Sequence, residues 1–418
     1  MCIRDRFLGV PIAMSLGLSA MGGILFLGGG STVTIAQRMF EGMNSFALLA
    51  IPLYTFAGFT MSKGGISKRL MDFCYSIVGH IYGGLAHVNV LSSMIFAGIS
   101  GSAVADTAGV SGMFMPEMIR KGYSKNFTVA VTAISSTIGI IIPPSIPMVV
   151  IAGICGISTG KLFLGGIIPG ILCGLAQMIV SYFLAKKEGV PKEPGHFTIG
   201  PVLHGLWESW PALLMPIIIV GTITMGIVSP TEAGVIAVVY GLFAGGIIYR
   251  ELKWEDIKFA FAETVRTSGR IFIVIGAAKL YTVMLTTAGF DKWVAKTMLG
   301  FSTNPTVILI MILLIFFIVT MFMESIATLT LFMPILYPIA LGVGINPIVL
   351  SVLITVVIGI GLVTPPVGMC IYVACDLMDT TVGEVFPTLV PFIAATFVCI
   401  ALMVAFPQLI LLPTYLMA

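Results

Sequence analysis

Two stretches decide the fold: Gly139-Ile-Ile-Ile-Pro-Pro-Ser-Ile-Pro147 and, 222 residues further on, Gly361-Leu-Val-Thr-Pro-Pro-Val-Gly368. They hold the only two Pro-Pro dipeptides in the chain. Their flanks match at the same offset, Ala152 with Ala374, Ser158-Thr159 with Thr380-Thr381 and Pro169 with Pro391. Upstream, Phe114-Met-Pro116 returns as Phe332-Met-Pro334 at an offset of 218. Proline lacks a backbone donor and collides with the preceding turn, so a helix running into either dipeptide must break there. The chain is therefore two related halves, roughly 30–185 and 255–412, each carrying a broken helix, and internal duplication of this kind is common in secondary transporters.

The 418 residues are 58% hydrophobic and 9% charged, with mean hydropathy +1.10, whereas soluble domains carry roughly 25% charged residues. Apolar runs such as Leu162 to Leu184, Trp210 to Ile227, Glu232 to Ile248 and Val385 to Leu412 meet or approach the roughly 20 residues that cross a bilayer as a helix. Barrel strands would instead show short segments of alternating polarity. The expectation is an all-α polytopic membrane protein with on the order of ten crossings or part-crossings. A net charge of +3 with the cations in short loops excludes a nucleic-acid face. The seven cysteines show no CxxC pair and read as small buried hydrophobes. Met1-Cys-Ile-Arg-Asp-Arg6 leads straight into apolar sequence without a small-residue cleavage site, so no removable signal peptide is expected.

Loop charge orients the halves. The segment after Phe114-Met-Pro116 ends in Arg120-Lys-Gly-Tyr-Ser-Lys125, whereas its counterpart ends in Leu341-Gly-Val-Gly-Ile-Asn-Pro347 with no cation. Cytoplasmic loops collect Lys and Arg, so equivalent points lie on opposite sides and the repeat is inverted. Traced from that anchor, fourteen cations fall inside, Arg4, Arg6 and Lys192 among them. Only Arg38, Lys161, Lys292 and Lys296 fall outside, with Arg266, Arg270 and Lys279 unassigned.

The organisation expected is an N-terminal span and scaffold (1–44), a first repeat (45–184), a polar linker with connecting spans (185–254) and an inverted second repeat (255–418). In the first repeat, Ser92 to Met118 is interrupted by Ser100-Gly-Ser-Ala-Val-Ala-Asp-Thr107 and reads as a re-entrant hairpin (about 88–118) with arms of ten or so residues. A broken helix follows at about 127–157. The second repeat matches with a hairpin at about 305–342, its tip at Met323-Glu-Ser-Ile-Ala-Thr328, and a broken helix at about 347–375. Non-helical backbone at membrane depth is tolerated where it lines a cavity or is buried in protein. Carbonyls freed at Ser135 to Ile140 and Gly359 to Thr364, with nearby hydroxyls, are hard oxygen ligands of the kind a desolvated sodium ion takes.

A lone kink ordinarily serves packing; kink and polar tip recurring together point to binding. The intramembrane acids Asp106 and Glu324 are functional candidates by default, for ion or proton coupling, and either could instead be a hydrated tip residue or a structural partner. With Pro143, Pro144, Ser145, Pro365 and Pro366 they are the candidates for lining a substrate site. Arg266, Arg270 and Lys279 could face an anionic substrate or lie on an interfacial helix. His80 and His87 read as interfacial.

Phe96-Ala-Gly-Ile-Ser-Gly-Ser-Ala-Val-Ala-Asp-Thr107, Met115-Pro-Glu-Met-Ile-Arg-Lys-Gly-Tyr123 and the two Pro-Pro stretches together resemble the large permease subunit of tripartite ATP-independent periplasmic (TRAP) transporters. The likeness runs from about Gly9 to the C-terminus, with a first span shorter than the family's. It implies an elevator-type carrier of the ion-transporter superfamily, in the bacterial or archaeal inner membrane. Such a carrier imports small organic anions, C4-dicarboxylates or sialic-acid-type acids, with sodium ions and no other cofactor. It also implies a separate small membrane subunit and a periplasmic binding protein as partners. Carried onto this chain, the first sodium site uses Ser100, Gly101, Ser102, Ser136, Thr137 and Gly139, and the second uses Ser325, Thr328, Gly359, Gly361 and Thr364. A stand-alone carboxylate symporter or exchanger is the competing reading. A membrane-embedded enzyme lacks parts, since neither HExxH nor GxxxxGK[ST] occurs.

Overall fold

The computed structural model describes residues 12–26, 32–190 and 198–416; the readings placed on Arg4, Arg6, Gly9 and Lys192 fall outside them. All regular elements among the described residues are helices. In chain order they are α1 (Ile12–Phe26), α2 (Thr32–Met43), α3 (Ala50–Lys63), α4 (Ile66–Val78), α5 (Gly84–Ser100), α6 (Ala103–Arg120), α7 (Lys125–Ser136) and α8 (Ile146–Cys155). There follow α9 (Thr159–Glu188), α10 (Ile199–Thr224), α11 (Pro230–Phe243), α12 (Trp254–Thr287), α13 (Phe290–Phe301), α14 (Pro305–Thr320), α15 (Ser325–Gly342), α16 (Pro347–Gly361), α17 (Met369–Leu377), α18 (Val382–Ala405) and α19 (Gln408–Leu411).

Seven of these, counting the short turns continuous with α3 and α11, are long and apolar enough to span a membrane: α3, α9, α10, α11, α12, α15 and α18. At 34 residues, α12 is about 50 Å long, well beyond the roughly 30 Å of hydrocarbon. Its extra turns carry the exposed ion pair of Arg266 and Glu263 (2.7 Å).

Starts and stops are written locally. Asn304-Pro305 and Asn346-Pro347 open α14 and α16, with each Asn side chain accepting from backbone N–H groups of the first turn. Proline's missing donor costs nothing at that position. Ser229 and Glu232 form a capping box on α11.

Each repeat folds as a hairpin followed by a broken helix. The first hairpin is α5–α6, turning at Gly101-Ser102, and its broken helix is α7, a 3₁₀ turn over Thr137–Ile140, and α8. The second hairpin is α14–α15, turning between Thr320 and Ser325, followed by α16 and α17. The hairpin arms run 16 to 18 residues rather than ten or so, because the polar interruption that marked the tip hid how far the first arm extends back to Gly83, whose φ of +73° ends the preceding turn. Both Pro-Pro peptide bonds are cis.

The repeats interlock by exchange. The second arm of the first hairpin, α6, packs on α17 of the second broken helix, and the second arm of the other hairpin, α15, packs on α8 of the first. The breaks also meet: a Cβ on Gly359 would lie 3.3 Å from Thr137 Cβ. Around this centre, α11 and α12 pack on α3, α1 and α2 pack on α12, and α10 lies along α4. Buried apolar side chains form one continuous core through both repeats.

Candidate functional site

At each hairpin tip a helix C-terminus meets a helix N-terminus, and the adjoining break presents the same pair. Ser102 caps α6, its Oγ accepting from Ala105 N–H, and Ser145 caps α8, accepting from Met148 N–H at 3.3 Å. Glu324 caps α15, its Oε2 accepting from Ile326 N–H (2.9 Å) and Ala327 N–H (3.2 Å). The N-termini of α6, α8, α15 and α17 are electropositive and the C-termini of α5 and α16 electronegative, which suits anions at the former and cations at the latter.

Tip and break are bonded to each other in both repeats. Ile146 N–H donates to Gly101 carbonyl (3.2 Å), and Val367 N–H donates to Met321 carbonyl (3.1 Å). Gly101 has φ +66° and packs so closely that a Cβ would lie 2.5 Å from the Pro144 carbonyl oxygen, so it meets two separate requirements that only glycine satisfies.

The first group of sequence-derived residues is assembled around Asp106, which was read as a substrate-lining candidate. Asp106 is fully buried. Its Oδ1 accepts a short hydrogen bond from Ser100 Oγ, which in turn accepts from Ser102 N–H at 3.2 Å. Its Oδ2 has no hydrogen-bond partner among the described residues and occupies the space that a side chain on Gly139 would need. Ser136 and Thr137 are buried nearby, donating to the carbonyls of Thr132 (2.8 Å) and Ile134 (2.7 Å). A hydroxyl that donates this way keeps its lone pairs for another ligand.

The second group is divided. Ser325 Oγ donates to Glu324 Oε1 (2.7 Å) and Thr328 Oγ1 to the Glu324 carbonyl (3.0 Å), so both are bound up with the tip. Gly361 faces Thr320 of the hairpin in its own repeat, where a Cβ would lie 2.6 Å from Thr320 Cβ, whereas Gly359 faces Thr137 of the other repeat. Not every carbonyl near the breaks is free. That of Ile138 accepts from Ile141 and Ile142 N–H, that of Ile140 from Ser145 Oγ, that of Ile360 from Thr364 Oγ1 and Val363 N–H, and that of Leu362 from Cys370 N–H. The 3₁₀ turn and local hydroxyls take up what proline released. Pro143 is buried and Pro365 half-buried; the Pro366 carbonyl accepts from Tyr372 Oη (3.4 Å).

A polar network escaped sequence reasoning. Asn89 Nδ2 donates to Thr132 Oγ1 (2.7 Å), Ser135 Oγ to Asn89 Oδ1 (3.1 Å), and Ser93 Oγ to Ser135 Oγ (3.1 Å). All four residues are fully buried, and the network fastens the hairpin arm α5 to α7. An Asn inside an apolar helix was the available signal. Asn89→Ala is expected to cost about 1–2 kcal/mol, read as a lower melting temperature of the solubilised protein. An unchanged melt would show the network to be dispensable. His87, expected at an interface, is buried, with Nε2 3.1 Å from the Tyr82 carbonyl. Among the described residues no group of three or more His, Cys, Asp or Glu gathers as a metal site.

Two inverted-type hairpins, two broken helices and a separate scaffold of full-length spans define a multi-pass membrane transporter. The sequence profile of the family described as "Tripartite ATP-independent periplasmic transporter, DctM component" matches residues 6–409, and the chain belongs to that family. Its members are large permease subunits, not enzymes; they work in the inner membrane with a small membrane subunit and a periplasmic binding protein. The chain is 37% identical to the isethionate TRAP transporter permease of Oleidesulfovibrio alaskensis over 92% of its own length and 61% of that protein's. It is 35% identical to the sialic acid TRAP transporter large permease of Vibrio cholerae (97% of this chain, 95% of that one). It is likewise 35% identical to the C4-dicarboxylate TRAP transporter large permease of Pseudomonas aeruginosa (96% and 94%). The crystal structure of the Alcanivorax borkumensis YdaH transporter shares the fold, with TM-score 0.61, 13% identity and coverage of 89% and 86%.

Proposed function

We propose that the chain is the permease through which sodium ions drive import of a small organic anion, handed over by a periplasmic binding protein and carried with a small membrane subunit in place. The observation that carries this reading is the buried Asp106 Oδ2, without a hydrogen-bond partner beside Gly139 at the first break. A carboxylate kept from water needs a compensating charge, and a cation held between tip and break supplies it. The anion then sits against the helix N-termini at Ser102, Ser145 and Gly368, where bound cations and helix dipoles both favour negative charge; that of α15 is already taken by the Glu324 carboxylate. Cation binding closes tip on break, and the hairpins with their broken helices move as one body against α3, α10, α11 and α12, the elevator arrangement. Relatives for isethionate, sialic acid and C4-dicarboxylates support a carboxylate or sulfonate as the cargo class. The test is uptake of labelled succinate, isethionate and N-acetylneuraminate by proteoliposomes holding the permease, its small subunit and its binding protein. At least one is expected to accumulate only under an inward sodium gradient. Accumulation undiminished without that gradient would overturn the coupling, and accumulation without the binding protein would favour a stand-alone symporter.

A further inference from the structure

A cavity of about 380 Å³ lies away from the tips, between the scaffold and the hairpin bodies. Its polar lining is Glu41, Asn44, Ser45, Lys279 and Thr330. Thr330 comes from α15 and the facing wall, at Gly153, from α8, while Lys279 comes from the long helix α12 and Glu41 from α2. One wall is thus scaffold and the other belongs to the exchanged pair α8 and α15.

One carboxylate and one ammonium line this cavity, and the carboxylate is already engaged. Glu41 is held by Arg38 at 2.8 Å, while Lys279 forms no salt bridge among the described residues and is exposed to the cavity. Its position is set by close backbone packing. A Cβ on Gly42 would lie 2.6 Å from Lys279 Cβ, and one on Gly276 would lie 3.2 Å from the Met39 carbonyl, so α2 and α12 cross with only hydrogen between them and the lysine stem runs past Gly42. An ammonium without a salt-bridge partner among the described residues, in a cavity of that size with mixed polar and apolar walls and an amide and two hydroxyls beside it, is a composition that can hold an anion. The cavity also lies toward the side that loop charge assigns to the exterior, since α2 carries Arg38 and α8 runs on toward Lys161.

We infer that this cavity is an outer docking site in which Lys279 holds the carboxylate or sulfonate of the incoming solute before it reaches the hairpin tips, with Asn44, Ser45 and Thr330 as hydrogen-bond partners. The inference rests on the transport reading above and assigns it a second, earlier site. Because Lys279 stands on the scaffold and Thr330 on the moving body, the pocket is whole in one arrangement only, and movement of α15 away from α12 takes the anion from its ammonium.

The test uses the full chain in nanodiscs with Ile154→Cys, at an apolar lining position, as a reporter, its alkylation followed by peptide mass spectrometry. Succinate, isethionate and N-acetylneuraminate at millimolar concentration are the probes, with chloride as control. At least one probe is expected to slow alkylation several-fold, with the protection lost in Lys279→Gln and kept in Lys279→Arg. In the reconstituted system, Lys279→Gln is expected to raise KM by about tenfold with the maximal rate little changed, as for lost binding outside the rate-limiting step. Failure of every probe to protect, equal protection in Lys279→Gln, or protection given by phosphatidylglycerol alone overturns the inference, even if sodium-driven uptake holds. Protection without sodium-driven uptake upholds the pocket and defeats the transport reading instead.

Discussion

Asp106→Asn is expected to leave the protein folded and to weaken sodium activation of uptake by about 10- to 100-fold in the concentration required, since hydrogen bonds and contacts to a buried charged group are worth roughly 1.5–3 kcal/mol. Asparagine keeps an oxygen for Ser100 Oγ, so the tip hydrogen bond survives; what goes is the negative charge beside Gly139. Removing an unpaired buried charge relieves a desolvation cost, so the melting temperature without sodium should hold or rise while sodium stabilisation shrinks. That opposition separates the expected result from simple unfolding. Ser100→Ala, which keeps the charge and removes one donor, should shift sodium activation by only about fivefold, in line with roughly 1 kcal/mol for a single hydrogen bond. Sodium dependence unaltered in Asp106→Asn would remove Asp106 from the ion site.

Gly101→Ala should be the most damaging single methyl in the first repeat. The residue sits at φ +66°, its Cβ would come within 2.5 Å of the Pro144 carbonyl oxygen and 3.3 Å of Ile146 N, and its own carbonyl receives Ile146 N–H. Left-handed backbone at a non-glycine residue costs about 1–3 kcal/mol, and overpacking adds about 1–3 kcal/mol. Both push tip and break apart. Gly156→Ala is the matched control, with nearly the same φ of +67° but open space around it, and should cost about 1 kcal/mol. Uptake and melting temperature are expected to fall sharply in the first and slightly in the second. Equal effects would mean that backbone strain alone matters and the tip-to-break contact does not.

Much of this architecture could be read from local chemistry. A Pro-Pro inside an apolar run breaks a helix wherever it occurs, because the missing N–H and the ring clash belong to proline itself. The caps Ser102, Ser145, Asn304 and Asn346 act within three residues of their own position. Hence the hairpins, the broken helices and their repetition at offset 222 were visible without coordinates. The first hairpin arm was underestimated because His87, Asn89, Ser92 and Ser93 interrupt the apolar run upstream of the tip, so that hydropathy alone does not carry the helix back to its start at Gly84.

What the chain alone could not show is which of these polar residues face one another. Asp106 read as a substrate-lining or coupling residue by its place near the tip; only the fold sets its free oxygen against Gly139, 33 positions away. Gly359 and Thr137 lie in different halves and touch because the repeats exchange helices. The network of Asn89, Ser93, Thr132 and Ser135 joins two helices across a loop. Lys279 could have been an interfacial cation like Arg266, which pairs with Glu263 on its own helix. The packing of α2 on α12 instead turns Lys279 into a cavity. Sequence by itself determined the membrane-spanning class, the duplication and the sites of breakage, since these follow from hydropathy, from repetition and from proline's covalent structure. Tertiary structure alone decided the partners of each buried charge, because such contacts depend on where distant helices cross, and nothing local to either residue encodes that.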